Sequence, residues 1–83
     1  MHPLRRNFGI VLRRLREEAN LSQEALASQA QLHRNYVGLL ERGERAPTIL
    51  IVDQLAKALG TTMSNLLRQV EDEMNSASDP SQS

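Results

Sequence analysis

The sequence predicts a compact all-α domain of five helices, and three observations support this fold class. Apolar residues recur three or four positions apart along most of the chain, which is the spacing of one helix face. Ser, Thr, Asn and Gly separate these segments, where helix caps and turns are expected. No segment alternates apolar and polar residues as a half-buried strand does. With 83 residues, the chain has room for one core with a small stability margin.

The first two helices are separated by a short turn. The first is predicted over about residues 5–20, and Asn20 is expected to end it because asparagine tolerates the left-handed conformation just past helix ends. Ser22 is a good N-cap for a short second helix over residues 23–29. The apolar face of the first helix consists of Phe8, Leu12, Leu15 and Ala19.

The third and fourth helices are bounded by equally clear signals. His33 is expected to cap a third helix that runs through Arg42 and stops at Gly43. Thr48 is expected to cap a fourth helix over residues 49–59. The predicted core stripe of the fourth helix is Ile49, Val52, Leu55, Ala56 and Leu59.

The fifth helix is predicted to follow the cap Thr62. Its apolar face consists of Met63, Leu66, Leu67, Val70 and Met74. From Asn75 onward, Ser, Asp, Pro and Gln dominate, a composition that cannot bury a core. We therefore expect the domain, with its dimerisation helix, to cover residues 1–74 and a disordered tail to cover residues 75–83.

Charge is unevenly distributed along a neutral chain. Residues 1–45 carry eight arginines against five glutamates, a balance of +3, whereas residues 46–83 have a balance of −3. Arginine suits bidentate contacts with phosphate and guanine. A basic first half fits a nucleic-acid partner, but an ordinary solvated surface explains the charge equally well. The case for function therefore depends on the pattern of residues.

The composition argues against several classes of protein. There is no cysteine, and His2 and His33 are far apart, so neither disulfides nor a metal site are expected. No apolar run approaches the roughly 20 residues of a membrane-spanning helix, and a signal peptide is not expected. Ser22, His33 and Asp53 are explained by local structure rather than by a catalytic arrangement. We expect a cytoplasmic protein that is no enzyme and uses no cofactor, metal or small-molecule ligand.

The spacing within residues 23–42 predicts two helices that cross at a short turn. Such a pair needs a small residue where the backbones touch, and Ala27 has a suitable position. Leu26, Val37 and Leu40 would then face inward. The outer positions of the second of these helices are Arg34, Asn35, Gly38, Leu39 and Arg42. A helix that exposes Arg and Asn near its N-terminus can enter a major groove and contact base edges.

Several short segments carry a resemblance to a known family. They are FG at 8–9, LRRLR at 12–16, LSQEALA at 21–27, YV at 36–37, LERG at 40–43 and AKALG at 56–60. On these segments, residues 8–67 resemble the lambda repressor/Cro-type helix-turn-helix family, the xenobiotic-response-element-like regulators of bacteria and phages. Residues 32–37 and 41–45 are similar to controller proteins of restriction-modification systems. The resemblance implies a lambda-repressor-like domain whose helix-turn-helix is formed by helices two and three.

The resemblance also implies roles for individual residues. Arg34 and Asn35 would contact base edges, guanine and adenine respectively. Leu39 departs from the family, which usually has a polar residue at this groove-facing position, and it could touch a thymine methyl. Arg16 and Glu41 match a pair that forms a partly buried salt bridge in the family. Other DNA contacts would come from Gln23, which also braces the recognition helix, and from Tyr36, Arg42 and Arg45. Apart from the resemblance, a protonated His33 could also contact a phosphate.

Most of these residues also have a structural interpretation. Gln23 and His33 could serve only as caps, and Tyr36 could pack its ring over the turn. Gln31 stands where the family usually has glycine, so a positive φ there would cost about 1 kcal/mol or more. The residues that could be ordinary solvated surface are Arg34, Asn35, Arg42 and Arg45.

Apolar residues on the last two helices predict a two-fold interface. Leu50 and Ile51 are apolar where the family is commonly polar, and a small monomer rarely exposes a large apolar patch. The predicted interface consists of Leu50, Ile51, Met63, Leu67, Val70 and Met74. The alternative is that these residues fill an irregular core.

Together, these features predict a homodimeric transcriptional regulator. Its two recognition helices would lie about 34 Å apart on a pseudo-palindromic site in double-stranded DNA. The alternative is a protein-interaction module of the same fold, antitoxin-like or coactivator-type, that reads DNA weakly. Neutral net charge and the apolar Leu39 favour that alternative.

Overall fold

The computed structural model describes residues 3–77, and in that range the chain forms five helices and no strand. The all-α fold predicted from the sequence is therefore confirmed. The last helix continues three residues into the segment predicted as a tail, and residues 78–83 of that tail lie outside the described range. The helices are α1 (Pro3–Glu18), α2 (Gln23–Ala30), α3 (Arg34–Glu41), α4 (Ile49–Ala58) and α5 (Met63–Ala77).

Local sequence signals account for the helix boundaries. The Ser22 hydroxyl accepts a hydrogen bond from the backbone N–H of Ala25 at 2.9 Å, which caps α2. Asn20 ends the turn after α1 with a φ of 60°, as its residue type predicts. Gln31 also adopts a positive φ, 62°, at the C-cap of α2. The predicted strain at a residue that is not glycine is therefore present in the turn between α2 and α3.

The core takes one fully buried leucine from each helix. These five side chains have no exposed area, and burying each one stabilises the fold by about 1.5–3 kcal/mol. Ile49 was predicted to join this core, but it is 67% exposed because it is the first residue of α4 and lies beyond the end of the core. The buried leucines are Leu12, Leu26, Leu40, Leu55 and Leu66.

Helix α1 fixes the positions of both α3 and α5. At Gly9 the backbones of α1 and α3 are so close that a Cβ would lie 2.5 Å from the carbonyl oxygen of Leu40. On another face of α1, the Arg14 guanidinium donates to Glu73 at 2.9 Å and to Gln69 at 3.3 Å. None of the helices within residues 3–77 combines the length and apolar character needed to cross a bilayer.

Candidate nucleic-acid interface

Helices α2 and α3 pack together through the small and apolar residues that their spacing singles out. Ala27 is 2% exposed, and Leu26, Val37 and Leu40 have no exposed area. The turn between the helices is closed by the backbone N–H of Leu32, which donates to the carbonyl of Ala27 at 2.8 Å. The outer face of α3 is thus presented to solvent by a well-packed support.

A hydrogen-bonded cluster ties α3 to the two preceding helices. The Arg16 guanidinium donates to Glu41 twice, at 2.6 Å and 3.1 Å, and also donates to the backbone carbonyl of Leu21 at 2.8 Å. Gln23 adds a fourth bond, from Nε2 to Glu41 Oε1 at 3.0 Å. The side chains of Arg16 and Glu41 are only 12% and 4% exposed. The recognition helix is therefore braced at its C-terminal end by both α1 and α2.

The electrostatics of this cluster keep Arg16 charged. Its hydrogen bonds with Glu41 raise the pKa of Arg16 above its ordinary value, and this effect outweighs burial, which lowers it. The nearby charges of Glu41 and Glu17 act in the same direction as the hydrogen bonds. The Arg16 guanidinium therefore stays positively charged where it contacts Glu41.

His33 caps the N-terminus of α3 through its ring. Its Nδ1 accepts a hydrogen bond from the backbone N–H of Asn35 at 3.1 Å. A neutral ring that accepts at Nδ1 carries its proton on Nε2. The capping role expected for His33 is thus present in the structure, and the exposed ring retains one donor.

The two predicted base-contacting residues open α3 and are exposed. Arg34 and Asn35 occupy its first turn, and the Arg34 side chain is 65% exposed. Arg34 has an ion-pair partner on another helix: its Nη1 lies 3.1 Å from Oε2 of Glu24 on α2. This ion pair joins residues ten positions apart and depends on how the turn places α2 against α3, so no local sequence pattern indicates it.

Further along α3 the predicted outward residues differ in exposure. Leu39 is half-buried, whereas Gly38 is buried, contrary to the prediction. The reason is that Gly38 lies beneath two polar side chains: a Cβ there would be 3.1 Å from Nη1 of Arg42 and 3.7 Å from Oε1 of Gln23. Gly38 therefore forms the floor of the surface rather than a contact point on it.

The other predicted DNA-contacting residues flank this surface. Arg42 follows α3 and donates from Nε to Glu44 at 2.8 Å, and Arg45 is exposed in the loop before α4. Tyr36 is half-buried and packs against the core, which supports the structural interpretation of its ring. The concavity formed here is lined by Arg16, Ser22, Gln23, Glu24, Arg34, Asn35, Gly38, Leu39 and Arg42.

The predicted dimer interface separates into exposed and buried residues. Leu50 is 67% exposed, and the half-buried members are Ile51, Met63, Leu67 and Met74. Val70 was also predicted to contact a partner, but it is 1% exposed because its position on α5 faces the core. A contact role for Val70 is therefore wrong, and the apolar surface available to a partner is smaller than predicted.

Comparison with known proteins identifies relatives of the same fold. A helix-turn-helix family model matches residues 12–66. Control protein C.MunI of Mycoplasma sp is 35% identical over 74 residues, which cover 88% of this chain and 100% of that protein.

Two solved structures of restriction-modification controller proteins are also similar. C.AhdI from Aeromonas hydrophila has a TM-score of 0.73 and 42% identity, over 75% of this chain and 94% of that chain. The tetramer of C.Esp1396I in complex with its natural 35 base-pair operator has a TM-score of 0.81 and 26% identity, over 88% of this chain and 96% of that chain. The predicted resemblance to controller proteins is therefore confirmed.

Proposed function

Because the chain belongs to the helix-turn-helix family, we propose that it is a transcriptional regulator that binds double-stranded DNA as a homodimer. The observation that carries this proposal is the placement of Arg34 and Asn35. Both are exposed on the first turn of α3, the part of a recognition helix that contacts base edges in the major groove. Arg34 would recognise guanine and Asn35 adenine, and each can form two hydrogen bonds with its base.

The brace beneath α3 suits this role. A base contact requires that the helix keep its orientation when it enters the groove, and Glu41 joins α3 to both Arg16 and Gln23. Outside the base contacts, Arg42 and Arg45 would hold phosphates beside the groove. The ring of His33, whose Nδ1 caps α3, would donate a hydrogen bond from Nε2 to the phosphate backbone of the DNA.

Dimerisation would place two such helices on one site. We assign the interface to the exposed Leu50 and to the half-buried residues Ile51, Met63, Leu67 and Met74. A two-fold axis through this surface would set the recognition helices about 34 Å apart, so the operator would be pseudo-palindromic.

The relatives favour a more specific role as a controller of restriction-modification genes. C.MunI is a control protein, and C.Esp1396I is a controller that binds its operator as a tetramer. We propose that this chain likewise acts as a controller protein, and that it does so in the cytoplasm. We assign it no catalytic activity.

A selection from randomised duplexes, followed by a salt titration on the enriched duplex, tests the function. We expect one pseudo-palindromic consensus, and an affinity that falls steeply with salt because phosphate contacts release counterions. Failure to enrich any sequence would contradict the proposal. Binding of a protein partner with weak salt dependence, and no DNA binding, would instead support the interaction-module alternative.

A further inference from the structure

The ion pair between Glu24 and Arg34 places a carboxylate within the candidate DNA-binding surface. Both side chains are largely exposed, 74% and 65%, and both line the same concavity as Asn35. A carboxylate facing DNA is unfavourable for binding in general, because it repels phosphates. Its position beside the main candidate for guanine recognition therefore needs an explanation.

The number of donors on Arg34 supplies one. A guanidinium carries five N–H groups in a planar fork, and Glu24 takes a hydrogen bond from Nη1 alone. The edge formed by Nε and Nη2 retains the parallel donors that match O6 and N7 of guanine. Arg34 can thus bind guanine while it is still held by Glu24.

The same pair weakens the competing interaction with phosphate. A free arginine at this position could neutralise a backbone phosphate of any sequence, and such contacts carry no sequence information. When Glu24 is paired with Arg34, the two charges cancel, and a phosphate gains little from approaching them. When this surface of the protein enters the DNA groove, it loses water. The lower dielectric constant around Glu24 and Arg34 then strengthens their ion pair.

We propose that Glu24 is a specificity-determining positioning residue, which presents Arg34 to guanine and keeps it from phosphates of unrelated DNA. The inference rests on the proposed DNA-binding function and deepens it. The role of Glu24 is to increase the ratio of operator affinity to random-DNA affinity, rather than the operator affinity itself.

The test compares wild-type protein with Glu24→Gln on two duplexes. One is the duplex that wild-type protein enriches from a randomised library, and the other is a scrambled duplex of equal length and composition. For the variant, we expect the affinity ratio of enriched to scrambled duplex to fall about five- to tenfold, a part of the discrimination that one bidentate guanine contact supplies. The slope of log affinity against log salt on scrambled DNA should steepen by about 0.9 for each Arg34 freed to contact a phosphate.

Two further variants separate this role from a structural one. Glu71→Gln makes the same change in charge at an exposed position on α5, outside the concavity, and should leave the ratio unchanged. In an Arg34→Ala background, Glu24→Gln should no longer alter the ratio, because Glu24 acts through Arg34. Thermal unfolding of each variant monitors the fold.

The outcomes distinguish the inference from the function on which it rests. An unchanged ratio for Glu24→Gln, or an equal loss of affinity on both duplexes, overturns the role of Glu24 but leaves the proposed function standing. If wild-type protein enriches no sequence, the proposed function fails, and the inference fails with it.

Discussion

Arg16 on α1 and Glu41 on α3 form a double hydrogen-bonded ion pair in which Nε lies 2.6 Å from Oε2 and Nη2 lies 3.1 Å from Oε1. The third nitrogen of the guanidinium donates to the carbonyl of Leu21, so each nitrogen has a partner. Glu41 in turn accepts from Gln23 on α2. The position of the recognition helix therefore depends on one largely buried charged group.

Arg16→Ala is expected to destabilise the protein by about 3–5 kcal/mol, because it leaves the buried Glu41 carboxylate without its partner. Urea unfolding followed by circular dichroism measures this loss. Arg13→Ala is a matched control, since its ion pair with Glu17 on α1 is 66% and 56% exposed. Removal of that pair should cost less than about 1 kcal/mol. Equal losses for the two variants would show that the pair with Glu41 does not anchor α3.

Gly9→Ala should destabilise the fold even though alanine favours helices. The added Cβ would lie 2.5 Å from the backbone carbonyl oxygen of Leu40, and neither backbone can move without disturbing the α1–α3 packing. Overpacking of this kind costs about 1–3 kcal/mol. Gly38→Ala is the control, because its Cβ would meet the flexible end of Arg42 at 3.1 Å and Oε1 of Gln23 at 3.7 Å, an ordinary contact distance. That substitution should be neutral or stabilising by up to about 1 kcal/mol in thermal unfolding.

Gln31→Gly is expected to stabilise the protein. Gln31 has φ 62° and ψ 40°, a left-handed conformation that costs an L-residue about 1–2 kcal/mol and glycine almost nothing. The greater freedom of glycine in the unfolded chain reduces the gain to roughly 0.5–1 kcal/mol. Gln29→Gly, two positions earlier and within α2, should lose about 1 kcal/mol instead. Unfolding midpoints that fall for both variants would contradict the strain assigned to Gln31.

Features that depend on neighbouring residues could be predicted from the sequence, and features that depend on the packing of distant elements could not. The caps Ser22 and Thr48 and the left-handed Asn20 follow from residue type alone, and each has the predicted role. Periodicity also identified the apolar faces, but it does not show where a core ends. For that reason Ile49 was assigned to the core and Val70 to an interface, and both assignments were wrong.

The same distinction applies to the candidate site. The exposure of Asn35 follows from its position opposite the buried Val37 and Leu40, and that of Arg34 from its place as the first residue of α3. The partner of Arg34 did not follow, because Glu24 belongs to another helix and the turn sets the distance between them. The extension of α5 beyond Met74 was missed as well, since a polar helix end and a tail have similar compositions.

Leu50→Glu is expected to weaken dimerisation while leaving the subunit folded. Leu50 is 67% exposed in the subunit, and burial of a leucine at an interface is worth about 1.5–3 kcal/mol. The dissociation constant of the dimer should therefore rise about 10- to 100-fold, as measured by sedimentation over a range of concentrations. Ile10→Glu, at a 40% exposed position on α1, is the control and should leave the constant unchanged. If Ile10→Glu dissociates the dimer and Leu50→Glu does not, the interface lies on α1.

Arg34→Ala and Arg45→Ala should affect DNA binding in different ways. Loss of a bidentate interaction with guanine removes about 1–3 kcal/mol of discrimination between bases. Arg34→Ala should therefore relax the preference for guanine at one position, and it should bind an operator in which that base is replaced as tightly as it binds the original operator. Arg45 lies in the exposed loop after α3, where binding to a phosphate carries no sequence information. Its replacement should weaken binding to all duplexes alike and make the salt slope shallower by about 0.9 for each phosphate that the protein no longer neutralises.

Binding isotherms on single-base operator variants at several salt concentrations separate the two effects. Both variants should retain the unfolding midpoint of the wild-type protein, because both side chains are exposed. The decisive comparison is between base preference and salt slope, since a change of base preference requires contact with a base edge. If Arg34→Ala lowers affinity for every duplex equally and keeps the base preference, Arg34 contacts phosphate, and the sequence must be recognised by another residue of α3.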